Sequence, residues 1–228
     1  MKLFILIFLL SISAVFAQGR DRVGNGGDVV VCPGSVLLLD SIEMKDHGLK
    51  LSLPGAIIRQ KVLRVVGNII RLDVNRGINI RMKALELIQG VEDFEVVHHS
   101  ENVDFTNRIL MDVPDSFETT IPKNCHKEQL VTHKVPIFAS DREFTIAKRY
   151  WSKLNLNQKA LTVLHEAWSI IFLEEGARDS RFARYMNGVF ATEDAHEMSS
   201  DQYLKHLSVS EVIGSFSNGR RRIIRIIE

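Results

Sequence analysis

Apolar residues change their spacing several times along the chain, and each change predicts an element. Asp28-Val29-Val30-Val31 and residues 35–39 are β-type runs on either side of Pro33-Gly34, which predicts a hairpin. The residues before it, 20–27, are polar and glycine-rich and read as a loose arm. Gly24-Asn25-Gly26-Gly27 precedes a strand, whereas a phosphate-binding glycine loop follows one and opens a helix, so no phosphate site is assigned there.

From Pro54 the period becomes helical. Ile58, Val62, Val65 and Ile69 line one face of a helix running to about residue 72, and Val66 and Ile70 widen the stripe. A second helix restarts at Asn75 or Gly77, with Ile80, Ala84, Leu87 and Ile88 at helical spacing and Gly90 near its end. A short helix over 41–46 is interrupted by Gly48. Residues 94–97, 108–111, 129–133 and 143–147 read as strands, with Pro114, Pro122 and Pro136 at turns.

The last third is helical again. The pattern predicts a helix over 157–175, ended by Gly176, with Leu161, Leu164, Trp168 and Ile171 as one buried stripe and Val163, Ile170 and Leu173 as a second. Asp179 or Ser180 caps the next helix, which turns Phe182, Tyr185, Met186, Val189 and Phe190 inward. Ser199 and Gln202 have capping-box spacing for a helix ending near Leu207, and a hairpin about Asn218-Gly219 closes the chain. The order of elements predicts an α+β fold, helices packed on a small antiparallel sheet, as a single domain over 18–228.

Met1-Lys2, the apolar stretch from Leu3 and the Ala-x-x-Ala ending at Ala17 form a secretory signal peptide over 1–17, cleaved before Gln18. The apolar stretch is too short to span a bilayer as a helix, and no later segment of the mature chain is apolar for long enough to be transmembrane. The protein is therefore expected in the periplasm or the secreted pool. In such a compartment Cys32 and Cys125 read as one disulfide rather than as a redox or metal pair, since there is no CxxC. Closing a loop of about 93 residues is worth ~4.6 kcal/mol in the chain-entropy model.

Composition sets limits on partners. Hydrophobic residues make up 45% and charged residues 25%, values of ordinary globular chains. Without Lys2 of the leader, 28 basic residues balance 28 acidic ones. Electrostatic capture of nucleic acid by the whole surface is thus not expected. The charge is nevertheless patterned: seven basic residues between Arg59 and Lys83 face a single Asp73, whereas nine acids between Glu86 and Glu118 face Arg108 alone. The blocks can pair with each other, or the first can present a basic face to an anionic envelope polymer. No interleaved aromatics mark a platform for bases.

One constellation carries candidate chemistry. Leu164-His165-Glu166-Ala167-Trp168-Ser169 opens like the zinc-peptidase motif HExxH, in which two His one turn apart hold the metal and the Glu activates its water. Position 169 is Ser, so the second ligand is missing, and Glu174, nine residues on, falls on the opposite side of the helix. His165 lies on an apolar stripe, as a buried histidine with one hydrogen bond would. Glu166 is placed to pair with Arg178, Arg181 or Arg184 of the next helix. His98, His99, His126, His133, His196 and His206 have no ligand spacing that demands a metal, and no Gly-x-Ser-x-Gly elbow is present.

Five blocks, Val23-Gly24-Asn25-Gly26-Gly27-Asp28-Val29-Val30-Val31-Cys32, Leu37-Leu38-Leu39-Asp40, Pro122-Lys123-Asn124-Cys125 with Glu128-Gln129, Leu164-His165-Glu166, and Ser180 with Arg184-Tyr185, carry a resemblance. In this order they resemble an exported protein family of Bdellovibrio-type predatory bacteria, over most of the mature chain. The resemblance implies export, a Cys32–Cys125 link and a His-Glu helix in the C-terminal third, and it implies no activity. The expected function is that of an exported envelope or secreted protein acting by binding or as a structural component, with an envelope protein or glycan as partner and no cofactor. The alternative is a hydrolase of envelope or prey polymers, zinc-dependent or acid/base, using His165 and Glu166.

Overall fold

The structure is a computed structural model, and it describes residues 24–25, 27–93, 97–100, 121–133, 144–175, 177 and 180–213. The leader over 1–17, the strand expected at 108–111 and the hairpin about Asn218-Gly219 lie outside the described residues. Val212, expected to open that hairpin, belongs instead to the last helix.

Two small sheets carry the β-structure. In the first, β2 (Asp28–Cys32) lies between β3 (Ser35–Leu38) and β5 (His126–Gln129), antiparallel to both. β2 reads as a continuous apolar run because both its faces are covered: Val29 and Val30 are fully buried although they point to opposite sides. β3, covered on one face, alternates. The second sheet has the order β1 (Gly24–Asn25), β6 (Val131–His133), β7 (Phe144–Ala147), β4 (Val97–Ser100). Its β4–β7 pair is parallel and its other pairs are antiparallel. The fold is α+β, helices packed on small, mainly antiparallel sheets, and the one parallel pair had no sequence signal because residue spacing within a strand does not encode the direction of its partner. The arm at 24–25 is likewise a strand rather than a loose lead-in, paired Gly24 to His133.

Cys32 and Cys125 are disulfide-bonded, one rung beyond the Val31–His126 pair of β2 and β5. The bridge thus locks a register that the strands already share.

Seven α-helices occur among the described residues: α1 (Leu39–Asp46), α2 (Ile58–Leu72), α3 (Val74–Asp93), α4 (Lys148–Trp151), α5 (Leu156–Glu174), α6 (Arg181–Phe190) and α7 (Ser200–Ile213). α5 is the central one. Asn155 caps it, accepting from the Gln158 N–H while the Gln158 side chain accepts from the Asn155 N–H. α2, α3 and α6 pack around it, so residues 160–172 are buried on every side. A helix buried all round is a core helix, and α5 takes His165 and Glu166 into the interior with it. Leu173 departs from the expected second stripe and is 39% exposed, because α5 has left the bundle by its last turn. No helix among the described residues is long and apolar enough to cross a membrane.

Most of the acidic block, 94–96 and 101–118, lies outside the described residues, and with it the expected pairing of the two charge blocks. Arg71 donates to the Ala195 and His196 carbonyls, and Arg76 pairs with Asp73 and Glu175, so these cations tie α2 and α3 to the C-terminal helices. Lys83 and Glu86 form a local i,i+3 pair on α3.

Candidate functional site

The chemistry-bearing side chains converge where α5, α6 and α1 meet β2. α1 contributes Asp40 and Glu43, three positions apart on the face that also buries Leu39 and Met44. α5 contributes His165 and Glu166, and α6 contributes Arg184 and Asn187. All six are buried, His165 completely and Glu166 to 2% exposure.

His165 Nδ1 sits 3.1 and 3.0 Å from the two Asp40 carboxylate oxygens. Asn187 Nδ2 donates to the same carboxylate at 2.6 Å and to the Leu161 carbonyl at 3.0 Å, which fixes the carboxylate from the α6 side. Arg184 donates through Nε to Glu43 at 2.8 Å and through Nη1 to Ser180 Oγ at 2.7 Å. Among the described residues His165 Nε2 and Asn187 Oδ1 have no hydrogen-bond partner.

Glu166 is held differently from the expectation. Its Oε1 accepts the backbone N–H of Gly27 at 2.5 Å, while Arg184 is committed to Glu43. Arg178 lies outside the described residues. Gly27 is required by close approach: a Cβ there would stand 3.2 Å from Glu166 Oε1 and 3.9 Å from His165 Cδ2. The Gly27 carbonyl accepts from the Leu130 and Val131 N–H groups, so one glycine links α5 to the junction of β5 and β6.

Protonation follows from this packing. Burial alone would depress the His165 imidazole, but the Asp40 carboxylate overcomes it and lifts the group from 6.5 to about 9. Burial alone would raise Asp40, and His165 with Arg184 and Asn187 holds it below its ordinary 3.8 instead. Glu166 goes the other way. Burial pushes it up from 4.5 to about 7, with His165 and the Gly27 N–H only partly opposing and Asp40 and Asp28 adding to the rise. Near neutrality the site is an imidazolium–carboxylate pair beside a carboxyl that is shared between its two forms.

The sequence singled out His165 and Glu166, and the structure brings them together with Asp40. Cys32 and Cys125 lie at the far end of β2 and take no part. The other histidines are dispersed: His126 lies by Glu128, His196 by Glu197, and His206 accepts or donates at Nδ1 to the Tyr185 hydroxyl. Asp40 stood in the sequence only as the end of a leucine run, and Glu43 and Asn187 were not singled out. Their signal is two acids on the apolar face of a short helix and an amide on the apolar face of α6.

Among the described residues no group of three or more His, Cys, Asp and Glu side chains is disposed to hold a metal ion. Asp40 orients His165 through Nδ1, as a carboxylate also does for a metal-bound histidine, but Ser169 stands where HExxH requires the second His, so the ligand pair of that motif is incomplete. Comparison with family models, with curated proteins and with solved structures found no match.

Proposed function

We propose that this chain is an exported protein of the envelope or the secreted pool that works by binding, to an envelope protein or glycan, with the His165–Glu166 cluster as an internal clasp rather than a catalytic centre. The observation that carries this reading is burial. His165 is fully enclosed and Glu166 nearly so, whereas the open clefts on either side of Thr192 are lined by other residues. A general base must reach its substrate through one hydrogen bond or one water. The leader-like N-terminus, the disulfide and the five sequence blocks support export.

A second reading is kept alive by one feature, an imidazole whose Nδ1 is oriented by a carboxylate and whose Nε2 has no hydrogen-bond partner among the described residues. In hydrolases that arrangement orients a base. Incubation of the mature protein with purified cell-wall sacculi, followed by mass spectrometry of soluble fragments, separates the two. The binding reading expects the protein to co-sediment with envelope material and to release no fragment beyond that of Glu166→Gln. Fragments released by wild type alone would overturn it.

A further inference from the structure

Lys61 occupies a core position of α2, in line with Val62, Val65 and Ile69, and is only 7% exposed. Its Nζ donates to the Leu53 carbonyl at 2.5 Å and makes no ion pair among the described residues. An ammonium has three N–H donors, and burying one without a countercharge is costly. The chain is nevertheless shaped to keep it. Gly55 has φ +138°, and a Cβ there would come within 3.2 Å of Lys61 Cγ. The Ala56 N–H is held by Gln60 Oε1 and the Ser52 N–H by the Ala191 carbonyl, so the loop over Lys61 is tied down at both ends.

Lys61 and this loop form one end of a cleft of about 350 Å³. Arg64 and Asn68 of α2 continue one wall, and Phe190, Thr192 and His196 make the other. Arg64 is exposed and adds a second cation, Val65 and Phe190 line the cleft from its two sides, and Glu193 also lines it.

We infer that this cleft binds a small ligand through one oxyanion group, a carboxylate or a phosphate, taken by Lys61 and Arg64 with Asn68 and Ser52 as neutral partners. Two cations in one cleft of this size suit a single charged head on a compact body. Exposed Glu193 repels further negative charge, so a polyanion such as a nucleic-acid strand fits poorly. The inference does not rest on the His165 cluster or on the reading given for it.

The test is a titration of the isotope-labelled mature chain, disulfide intact, with inorganic phosphate and separately with acetate, at ionic strength held constant with chloride and followed by NMR. Saturable shifts at Leu53, Asn68 and Thr192 are expected with at least one probe, and which probe saturates tells phosphate from carboxylate. Arg64→Gln, a surface change, should weaken binding at least fivefold. Lys61→Met should abolish saturation and leave the urea midpoint unchanged or higher, since it removes an unpaired buried charge. Shifts that never saturate, shifts reproduced by chloride alone, or undiminished affinity in Arg64→Gln would overturn the inference. Should Lys61→Met fail to fold, the Arg64→Gln titration alone decides.

Discussion

The backbone N–H of Gly27 reaches Glu166 Oε1 at 2.5 Å, joining residues 139 positions apart. With Asp40 on His165 and Glu43 on Arg184, it makes three buried polar contacts that join Gly27 and α1 to α5 and α6. Each contact satisfies a group that would otherwise be desolvated without a partner, which is why they act together.

Gly27→Ala tests the closest of them. The new Cβ would stand 3.2 Å from Glu166 Oε1, inside ordinary contact, and Gly27 is anchored by two further hydrogen bonds at its carbonyl. A loss of ~1–3 kcal/mol is expected, the range for overpacking a core. Urea unfolding measures it, and a midpoint equal to wild type would show that α5 yields freely.

The cluster makes stability depend on pH, and the sign can be worked out. Glu166 is raised from 4.5 to about 7, so its contribution is full below 4.5 and is lost as pH rises through 7. His165 is raised from 6.5 to about 9, so its contribution is full below 6.5 and is lost as pH rises through 9. Asp40 is lowered, so its part is present above 3.8 and is lost as pH falls through its folded value. Stability from these groups should therefore peak near pH 4–5 and decline towards pH 9. A midpoint that rises between pH 5 and 9 would refute this assignment.

Glu166→Gln isolates one segment of that decline. Gln keeps an oxygen for the Gly27 N–H and cannot ionise. The change should cost less than about 1 kcal/mol at pH 5, where the carboxyl is already neutral, and should stabilise the protein at pH 8, where wild type holds a buried carboxylate. Melts of both proteins at the two pH values check it; a larger penalty at pH 8 than at pH 5 would mean that Glu166 is ionised and paired after all.

Leu164→Ala should cost ~2–5 kcal/mol, the range for emptying a buried leucine site, because Leu164 is fully enclosed on α5. A loss below about 0.5 kcal/mol in the same unfolding assay would be a surface value and would displace the core from this helix.

The helices were legible in the sequence because their apolar period is a property of neighbouring residues. Ile58, Val62, Val65 and Ile69 mark α2 with no knowledge of what they touch, and Ser199 with Gln202 marks the start of α7 by a box that the structure forms. The disulfide was legible for a chemical reason, an even pair of cysteines behind a leader-like apolar N-terminus. The partners of the cluster were not. Asp40 is followed by Ser41 and Gly27 is preceded by glycine, and nothing local says that one meets His165 and the other Glu166. Long-range polar pairing leaves no period. Nearness along the chain offered Arg178, Arg181 or Arg184 to Glu166, while among the described residues the fold gives Arg184 to Glu43 and the Gly27 N–H to Glu166.

The arrangement around Gly27 bears on the order in which the molecule can be assembled. Its carbonyl waits for the Leu130 and Val131 N–H groups and its N–H waits for Glu166, so Gly27 at the head of β2 has no finished seat until the chain has been made as far as Glu166. A polypeptide delivered N-terminus first must therefore hold its opening segment in reserve through synthesis and any transit. Closure comes in a late step, dominated by contacts distant in sequence and slow for that reason. Until then the carboxylates of α1 stay solvated, and the interior becomes dry only when α5 and α6 arrive to meet them.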